Sequence, residues 1–460
     1  MNAAQGTGLS ARLAEFVTGI PESGIPASVL DAAARVLLDA TGVMRAASAL
    51  SPEVLPFIGQ AIDGGAGPCT VLGTSHRVRA PLAALANGAM SHALDYEDAF
   101  DAAPVHPNAS LVPVVLALAQ SRGNVDGREL LAAIAVGCDV ACRIALSLRQ
   151  RMEDGGWYPP PILAAFGAVA GAARILRLSP RQLLDAWSML LLQNSCAGEI
   201  KYDRDTVIRA VREAFPAQAA VQVAQLARAG VRGFDAPLEG RAGFFRLFAS
   251  GHYDAATLFA DIGQCWHIER LSFKPWPSCR GTHAAIECAL SLRETLDWRD
   301  IRRIRIEGCE VHRMLAEPIE RKRAPQTAID AKFSLPFTVA TALVTGHVDL
   351  DSFTPSSLRH LDVLAVAGLA SFHRRDDWGM EKAVSGAVEI SLVDGRTLRH
   401  ELAEPLGAPA RPLSDEQLVA KFVDCAGRGQ KALARAPAAA LAQRILKLAG
   451  EADAGGLLAT

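Results

Sequence analysis

The chain has 460 residues, of which 50% are hydrophobic and 21% are charged, and its formal net charge is −2. This length predicts two domains, and the composition excludes a disordered chain. The small net charge and the scattered lysines and arginines argue against a nucleic-acid-binding protein.

Targeting and cysteine patterns indicate where the protein works. The N-terminal stretch carries Arg12 and Glu15 where a signal peptide needs an apolar core. The longest uncharged apolar run, roughly residues 162–173, is shorter than the about 20 residues that cross a bilayer. The 9 cysteines form no C-x-x-C pair, which predicts neither a zinc site nor a disulfide framework. We therefore expect a soluble cytoplasmic protein with reduced thiols, no membrane partner and no metal site.

Up to about residue 265, alanine-rich segments repeat apolar residues every three or four positions, as amphipathic helices do. Several of these segments are apolar on nearly every side, which predicts burial in a large helical domain. The predicted helices are Val29–Thr41, Ala80–Leu94, Leu111–Gln120, Glu129–Leu146, Ile162–Leu178, Pro180–Leu192 and Ala219–Ala229.

The pattern changes after Trp266. Residues 300–310 alternate apolar and charged residues, as a half-buried strand does, and residues 387–403 predict a hairpin around Asp394–Gly395. Helices are predicted at His283–Leu296, Ile329–Thr345 and Leu358–Ala370, and again in the tail over 413–450. The fold class is therefore mainly α with an α+β second domain. We predict an all-helical domain over 1–267, an α+β domain over 268–405, and C-terminal helices over 406–460 that pack back on the helical domain.

The segment FKPWPSCRGTHAAIECAL, residues 273–290, places a lysine on a stiff, non-helical approach between prolines. Ser278 or Thr282 can cap the helix that follows. A helix N-terminus beside Lys274 and Arg280 would attract anions. This corner is predicted to bind a carboxylate or phosphate, and the alternative interpretation is a solvated surface turn.

A second group of polar residues lies within residues 86–119. Asp95 and Asp98 are three positions apart and would share a helix face, unless they only form a solvated helix end. His106 precedes Pro107 at a first-turn position, with Asn108 or Ser110 available as a cap. Taken alone, such a histidine is most often structural.

Together these segments resemble the MmgE/PrpD family, which includes 2-methylcitrate dehydratases, cis-aconitate decarboxylases and an iminodisuccinate epimerase. The family patterns H-P-[SN]-A and K-P-[YW]-P-S-C-R-x-T-H-A match residues 106–109 and 274–284. The pattern H-x-L-D-[FY]-D-D corresponds to residues 92–98, with Glu97 in place of an aspartate. The resemblance implies a helical domain built from both chain ends, a smaller α+β lid and a homodimer. It also implies a small anionic substrate and no compulsory cofactor.

The reactions of this family share a carbanion next to a carboxylate, which needs cations at the carboxylate oxygens and a base near the carbon. By resemblance, Asp95, His106 and Lys274 are the catalytic candidates. Cys279 and Arg280 are neighbours on the lysine corner and are predicted to bind substrate. The alternative for Cys279 is a packed small residue rather than a nucleophile.

The sequence departs from the family pattern at several positions. Tyr158 replaces a histidine and is a catalytic candidate, and Ala99 replaces a threonine. A further family pattern, K-x-L-H-x-G-x-A-A, corresponds to residues 209–220, and Arg209 and Arg212 stand near its lysine and its histidine. Arginine grips a carboxylate but cannot act as a base, so both are predicted to bind substrate.

We therefore predict a cofactor-independent hydro-lyase, similar to 2-methylcitrate dehydratase, that acts on a small di- or tricarboxylate. An epimerase is the alternative, with Tyr158 opposite His106 as a second base. A decarboxylase on a related polycarboxylate and a non-catalytic family member are the other two interpretations.

Overall fold

The computed structural model describes residues 8–203 and 206–458. The chain divides into two compact units. The described residues of the first unit fall within Met1–Ala93, Glu97–Leu271 and Ser414–Thr460, and the second unit comprises Leu94–Tyr96 and Ser272–Leu413. The structure is thus mainly helical, with a smaller portion that mixes helices and strands. The predicted boundaries at residues 267 and 405 stay predictions.

The first unit is dominated by long helices that coincide with the apolar-periodic segments. All seven helices predicted before residue 265 are confirmed, and most begin or end a few residues beyond the predicted bounds. The helices of this unit are α1 (Leu9–Gly19), α2 (Ala27–Leu50), α3 (Leu55–Asp63), α4 (Ala80–Ala93), α5 (Pro107–Arg122), α6 (Gly127–Ser147), α7 (Pro159–Leu176), α8 (Pro180–Leu190), α9 (Ala214–Arg228), α10 (Phe244–Ala249), α11 (Ala255–Phe259), α18 (Asp415–Ala426), α19 (Arg435–Leu446) and α20 (Ala454–Leu457).

Helices α6 and α7 form the centre of this unit. Gly137 and Gly167 let their backbones approach so closely that a Cβ atom at either position would collide with the carbonyl of the other. By length and composition both helices could cross a membrane. In each, 94% of the most apolar 18-residue stretch is buried, as in core helices.

The two ends of the chain meet within the first unit. Helix α18 packs against α2, where Gly42 leaves room for the side chain of Phe422. A buried ion pair between Lys421 Nζ and Asp39 Oδ1, at 2.6 Å, links the same two helices. The C-terminal helices therefore share a core with α2.

The first unit is not all-helical, which corrects the sequence prediction. Strands β1 (Ala66–Thr70) and β2 (Arg77–Val78) form an antiparallel pair. Asn87 of α4 holds this pair in place, because its amide donates to Thr70 O at 2.9 Å and its oxygen accepts from Leu72 N at 2.9 Å. The strands are short and interrupted by glycine and proline, so they lack a readable alternation.

The second unit is built around a four-stranded sheet with the order β4-β3-β5-β6. The strands are β3 (Ile301–Gly308), β4 (Ala370–Arg374), β5 (Gly386–Leu392) and β6 (Thr397–Leu402), and they confirm the predicted strand and hairpin. Strand β4 pairs in parallel with β3, whereas the other neighbours are antiparallel. The helices of this unit are α12 (His283–Arg293), α13 (Arg313–Ala316), α14 (Ile319–Arg323), α15 (Ala328–Lys332), α16 (Leu335–Thr345) and α17 (Leu361–Gly368).

Two predicted helices of this unit have wrong bounds. The segment Ile329–Thr345 is broken after Lys332, because Ser334 caps a new helix by accepting from Phe337 N at 3.1 Å and Pro336 has no N–H to continue the old one. The segment Leu358–Ala370 is helical only to Gly368, and Ala370 already begins β4. Pairing with β3 overrides the local helical preference of these residues.

Candidate active site

The loop between α4 and α5 carries most of the polar residues singled out in the first half of the chain. Helix α4 ends at Ala93, and Asp95 has a φ of 49°, the left-handed conformation that aspartate tolerates better than most residues. Asp95 and Asp98 therefore do not share a helix face, and that prediction is wrong.

His106 stands at the end of this loop, directly before α5. The loop is closed by a bridge between Phe100 and Val105, and Pro107 takes the first helical position as predicted. The predicted side-chain caps are wrong. Asn108 Nδ2 instead donates to Asp98 Oδ2 at 2.8 Å, and Ser110 Oγ donates to Glu213 Oε2 at 2.5 Å. These bonds tie the start of α5 to its neighbours.

Glu97 links two histidines of the first unit. Its Oε1 lies 2.5 Å from His92 Nδ1 and 3.1 Å from His106 Nδ1, and the imidazole centroids are 5.6 Å apart. His106 Nδ1 also lies 3.0 Å from the carbonyl oxygen of Asp98. The side chain of His106 is 18% exposed, whereas His92 and Glu97 are 0% and 1% exposed. Of these three, His106 is therefore the one that a substrate can reach.

The approach of α9 to α4 completes this cluster. Gly88 of α4 is required there, since a Cβ atom would lie 2.7 Å from Glu213 O. One turn further along α4, His92 Nε2 accepts a hydrogen bond from Arg212 Nη1. Arg212 Nε also donates to Glu213 Oε1 at 3.1 Å. The guanidinium predicted to bind substrate is thus directed at protein groups.

Burial affects the acidic residues around His106. Asp98 is fully buried, and burial raises the pKa of its carboxyl to about 7; Asp39 and Glu97 raise it further, against the lowering effects of Asn108 and His106. Burial likewise raises the pKa of Glu213, although Arg212 opposes this. The interior of the cluster therefore resists negative charge.

Tyr158, at the N-terminus of α7, is the centre of a group of cations. The guanidinium carbons of Arg209 and Arg212 lie 5.6 and 5.2 Å from the centre of its ring, and Lys201 Nζ lies 5.7 Å from it. Arg209 Nη2 also donates to the Tyr158 hydroxyl at 3.4 Å. Burial lowers the pKa of Lys201, with Arg209 contributing. Of these cations, Lys201 and Arg209 can bind a carboxylate of a small substrate, whereas Arg212 already donates to His92 and Glu213.

In the first unit, His92 and Glu97 offer ligand atoms that lie close enough together for a metal ion. However, Arg212 donates to His92 Nε2 while Glu97 lies against Nδ1, so both ring nitrogens already contact protein groups. A guanidinium at ligand distance from the imidazole would also repel a metal cation. This arrangement fits proton transfer better than metal binding.

In the second unit, Lys274 is fully buried and its Nζ contacts Asp95 twice. The distances are 2.5 Å to Oδ1 and 3.0 Å to the carbonyl oxygen. The left-handed backbone of Asp95 allows both oxygens to reach the ammonium group. A buried lysine needs such a partner, because an uncompensated charge in the interior is costly.

The corner that follows Lys274 is non-helical up to Cys279, as the two prolines predict. Thr282 is the N-cap of α12 without a side-chain cap, and its hydroxyl bonds to Ser278 Oγ at 2.8 Å, so the predicted capping is wrong. Arg280 donates to Ser272 Oγ at 3.3 Å and to Leu406 O at 3.4 Å. Cys279 N donates to Lys332 O at 3.0 Å. Both residues predicted to bind substrate therefore hold this corner together.

His283 follows the same corner. Its Nε2 lies 3.1 Å from Ser278 O, and its ring packs edge-on against Trp276 at 5.3 Å. Burial lowers its pKa well below the usual value, and the charges of Arg280 and Lys274 add to this. His283 is therefore neutral in the folded protein.

Sequence reasoning did not assign a role in the site to His92, Glu97, Lys201 and Glu213, and it considered Ser110 only as a helix cap. Glu213 could have been selected from the sequence, because an acidic residue beside Arg212 at the start of an apolar helix is unusual at a buried position. Lys201 lies in a short turn with no pattern that distinguishes it from a solvated lysine.

Models of two domains of one family match this sequence, and together they span most of it. The MmgE/PrpD N-terminal domain matches residues 11–256, and the MmgE/PrpD C-terminal domain matches residues 276–444. The chain belongs to the MmgE/PrpD family.

Two proteins of Aspergillus species are similar to this chain along nearly its whole length. A cis-aconitate decarboxylase-like protein, oryM, of Aspergillus oryzae is 27% identical over 446 residues, which cover 90% of this chain and 89% of the relative. A cis-aconitate decarboxylase of Aspergillus terreus is 24% identical over 454 residues, covering 92% and 90%. The family resemblance inferred from the short patterns is thereby confirmed.

Proposed function

We propose that this protein is a lyase that acts on a small di- or tricarboxylate through a carbanion next to a carboxylate, without a metal or organic cofactor. The observation that carries the proposal is the setting of His106. Its Nδ1 faces the acceptors Glu97 Oε1 and Asp98 O, so the other ring nitrogen, Nε2, is the one that exchanges a proton with substrate.

The cations around Tyr158 support a polycarboxylate rather than a neutral substrate. Lys201 and Arg209 present positive charge within 6 Å of one aromatic ring, and both are mostly withdrawn from solvent. A carboxylate bound by such groups is stabilised as negative charge develops on it. Proton removal from the adjacent carbon then becomes accessible to a histidine base.

Reversible dehydration is the first candidate for the reaction. His106 Nε2 takes the proton from the carbon next to a carboxylate, the electron pair forms the double bond, and hydroxide leaves the neighbouring carbon as water after receiving a proton. The product is an unsaturated polycarboxylate. This reaction needs one base and one acid, both of which the polar cluster can supply.

Decarboxylation is the second candidate, favoured by the similarity to cis-aconitate decarboxylases. In that reaction the carbon–carboxylate bond breaks and carbon dioxide leaves. The resulting carbanion takes a proton from protonated His106. Both reactions therefore use the same histidine for the proton on carbon, and they differ in the group that is lost.

A panel of hydroxylated and unsaturated di- and tricarboxylates in deuterium oxide tests the proposal. Proton NMR follows deuterium uptake at carbon and double-bond formation, and a carbon dioxide assay separates decarboxylation from dehydration. We expect uptake with at least one substrate and its loss in His106→Gln. Uptake that disappears with a chelator and returns with a divalent ion would contradict the cofactor-free part of the proposal.

We also propose that the protein is a homodimer, as its family resemblance implies, and that it works in the cytoplasm, as its scattered cysteines indicate. Sedimentation velocity at micromolar concentration tests the assembly state. A single monomeric species would contradict the homodimer.

A further inference from the structure

We infer that Arg212, His92 and Glu97 form a positioning chain that sets the tautomer of His106, so that Arg212 serves the base rather than the substrate. The inference rests on the proposed function for its catalytic meaning. Its structural content, the proton position on His106, is independent of any substrate.

The direction of the chain is set at Arg212. An arginine guanidinium has only donors, so His92 Nε2 must accept the hydrogen bond from Arg212 Nη1. A neutral imidazole carries its hydrogen on the other nitrogen. His92 Nδ1 therefore donates to Glu97 Oε1 across 2.5 Å.

The direction is passed on through Glu97 Oε1, which both histidines share. A hydrogen bond from His92 Nδ1 favours the unprotonated form of this oxygen, which then accepts from His106 as well. His106 Nδ1 lies between Glu97 Oε1, at 3.1 Å, and Asp98 O, at 3.0 Å. The opposite tautomer would point the lone pair of Nδ1 at two oxygens, which is repulsive. The stable neutral form of His106 thus has hydrogen on Nδ1 and the lone pair on Nε2.

Arg212 is itself held firmly. Glu213 Oε1 accepts from its Nε at 3.1 Å, and Ser110 Oγ donates to the other oxygen of Glu213 at 2.5 Å. The side chains of Arg212 and Glu213 are 1% and 0% exposed. The pattern of the resembled family has a histidine near this position, and a histidine can donate or accept. Arginine can only donate, so Arg212 fixes the direction of the hydrogen bonds that run through His92 and Glu97 to His106.

The first experiment replaces Glu97 by glutamine and reads the ring nitrogens directly. Histidines labelled with ¹⁵N are observed by NMR, and His106 is assigned by its loss in His106→Gln. We expect wild-type His106 to be in the Nδ1–H form and Glu97→Gln to show a mixture of tautomers. Glu129→Gln removes another buried, ion-paired carboxylate and serves as the matched control, with His106 unchanged.

Kinetics with the active substrate then separate positioning from structure. We expect kcat of Glu97→Gln to fall about 10–100-fold while KM stays within about twofold, as for the loss of an orienting partner.

A second pair of variants tests whether Arg212 sets the direction of these hydrogen bonds. Arg212→Lys keeps an obligate donor and should retain the Nδ1–H form of His106, whereas Arg212→Gln can donate or accept and should not. Arg149→Gln, an exposed arginine paired with Asp254, is the control for charge loss.

The outcomes distinguish the inference from the proposed function. If Glu97→Gln and Arg212→Gln fold and leave the His106 tautomer unchanged, the inference is overturned even if the enzyme is active. If no polycarboxylate reacts but the tautomer shifts as expected, the positioning chain stands and the proposed function fails.

Discussion

The two polar regions of this protein keep charge in the interior by different means. In the second unit, Lys274 and Asp95 form one buried ion pair in which each charge compensates the other. In the first unit, the charges of Arg212 and Glu97 are joined through the neutral ring of His92, and the series ends on the partly exposed His106. Removing one member of a buried ion pair leaves the other charge uncompensated. A series of hydrogen bonds can instead lose its donor-to-acceptor direction while the protein stays folded. Single substitutions should therefore affect stability in one region and proton transfer in the other.

The largest effect is expected for Lys274→Met. Removing the ammonium leaves Asp95 buried without its cation, which should lower the free energy of unfolding by about 3–5 kcal/mol. If Lys274 also neutralises charge that develops in the reaction, turnover should fall at least about 100-fold. Chemical denaturation and steady-state kinetics measure the two effects.

The double variant Lys274→Met with Asp95→Asn separates them. It should recover much of the stability, because no buried charge is left unpaired, but not the turnover. Unchanged turnover in a folded Lys274→Met protein would remove the lysine from the mechanism.

Asp98→Asn should alter the pH dependence of stability. The pKa of Asp98 is raised from its ordinary value of 3.8 to about 7, so the folded chain holds a proton that the unfolded chain has lost. The contribution of Asp98 to the free energy of unfolding is most favourable below about pH 4 and decreases as the pH rises to about 7. Asparagine resembles the protonated acid, so the variant should be more stable than wild type at pH 8 by on the order of 1–4 kcal/mol.

Thermal or denaturant unfolding between pH 4 and pH 8 measures this difference. The exposed Asp63→Asn provides the control and should follow the wild-type curve. Parallel curves for Asp98→Asn and wild type would show that Asp98 is ionised in the folded protein.

Arg209→Ala should affect binding more than catalysis. If Arg209 holds a carboxylate equally in the ground and transition states, its loss raises KM, by about tenfold, and leaves kcat nearly unchanged. Steady-state kinetics decide this. A fall in kcat equal to the fall in kcat/KM would place Arg209 at the reacting carboxylate instead.

The smallest effect is expected for Tyr158→His, which restores the residue of the family pattern. The ring lies among cations, so the change should shift preference among polycarboxylates only a few-fold, by about 1 kcal/mol. Competition between two substrates in one reaction measures the ratio. An unchanged ratio would indicate that Tyr158 only packs beside the arginines.

The sequence by itself determined the family, the helical character of the first unit and the strand pattern of the second. Helical and strand periodicities are local properties, so α2, α5 and the hairpin of β5 and β6 could be predicted from their own residues. The short patterns likewise selected His106, Asp95 and Lys274. The pair β1–β2 was not predicted, since Asn87, 15 positions from Leu72 and 17 from Thr70, supplies part of its hydrogen bonding from helix α4.

Only the tertiary structure decided what these side chains do to one another. His92 and Arg212 are 120 positions apart, and their contact depends on Gly88 admitting α9 against α4. The sequence therefore predicted Arg212 as a substrate ligand, while the fold directs it to a histidine and a carboxylate. Hydrogen-bond direction depends on which donors and acceptors meet in space, and no local pattern in the chain contains that information.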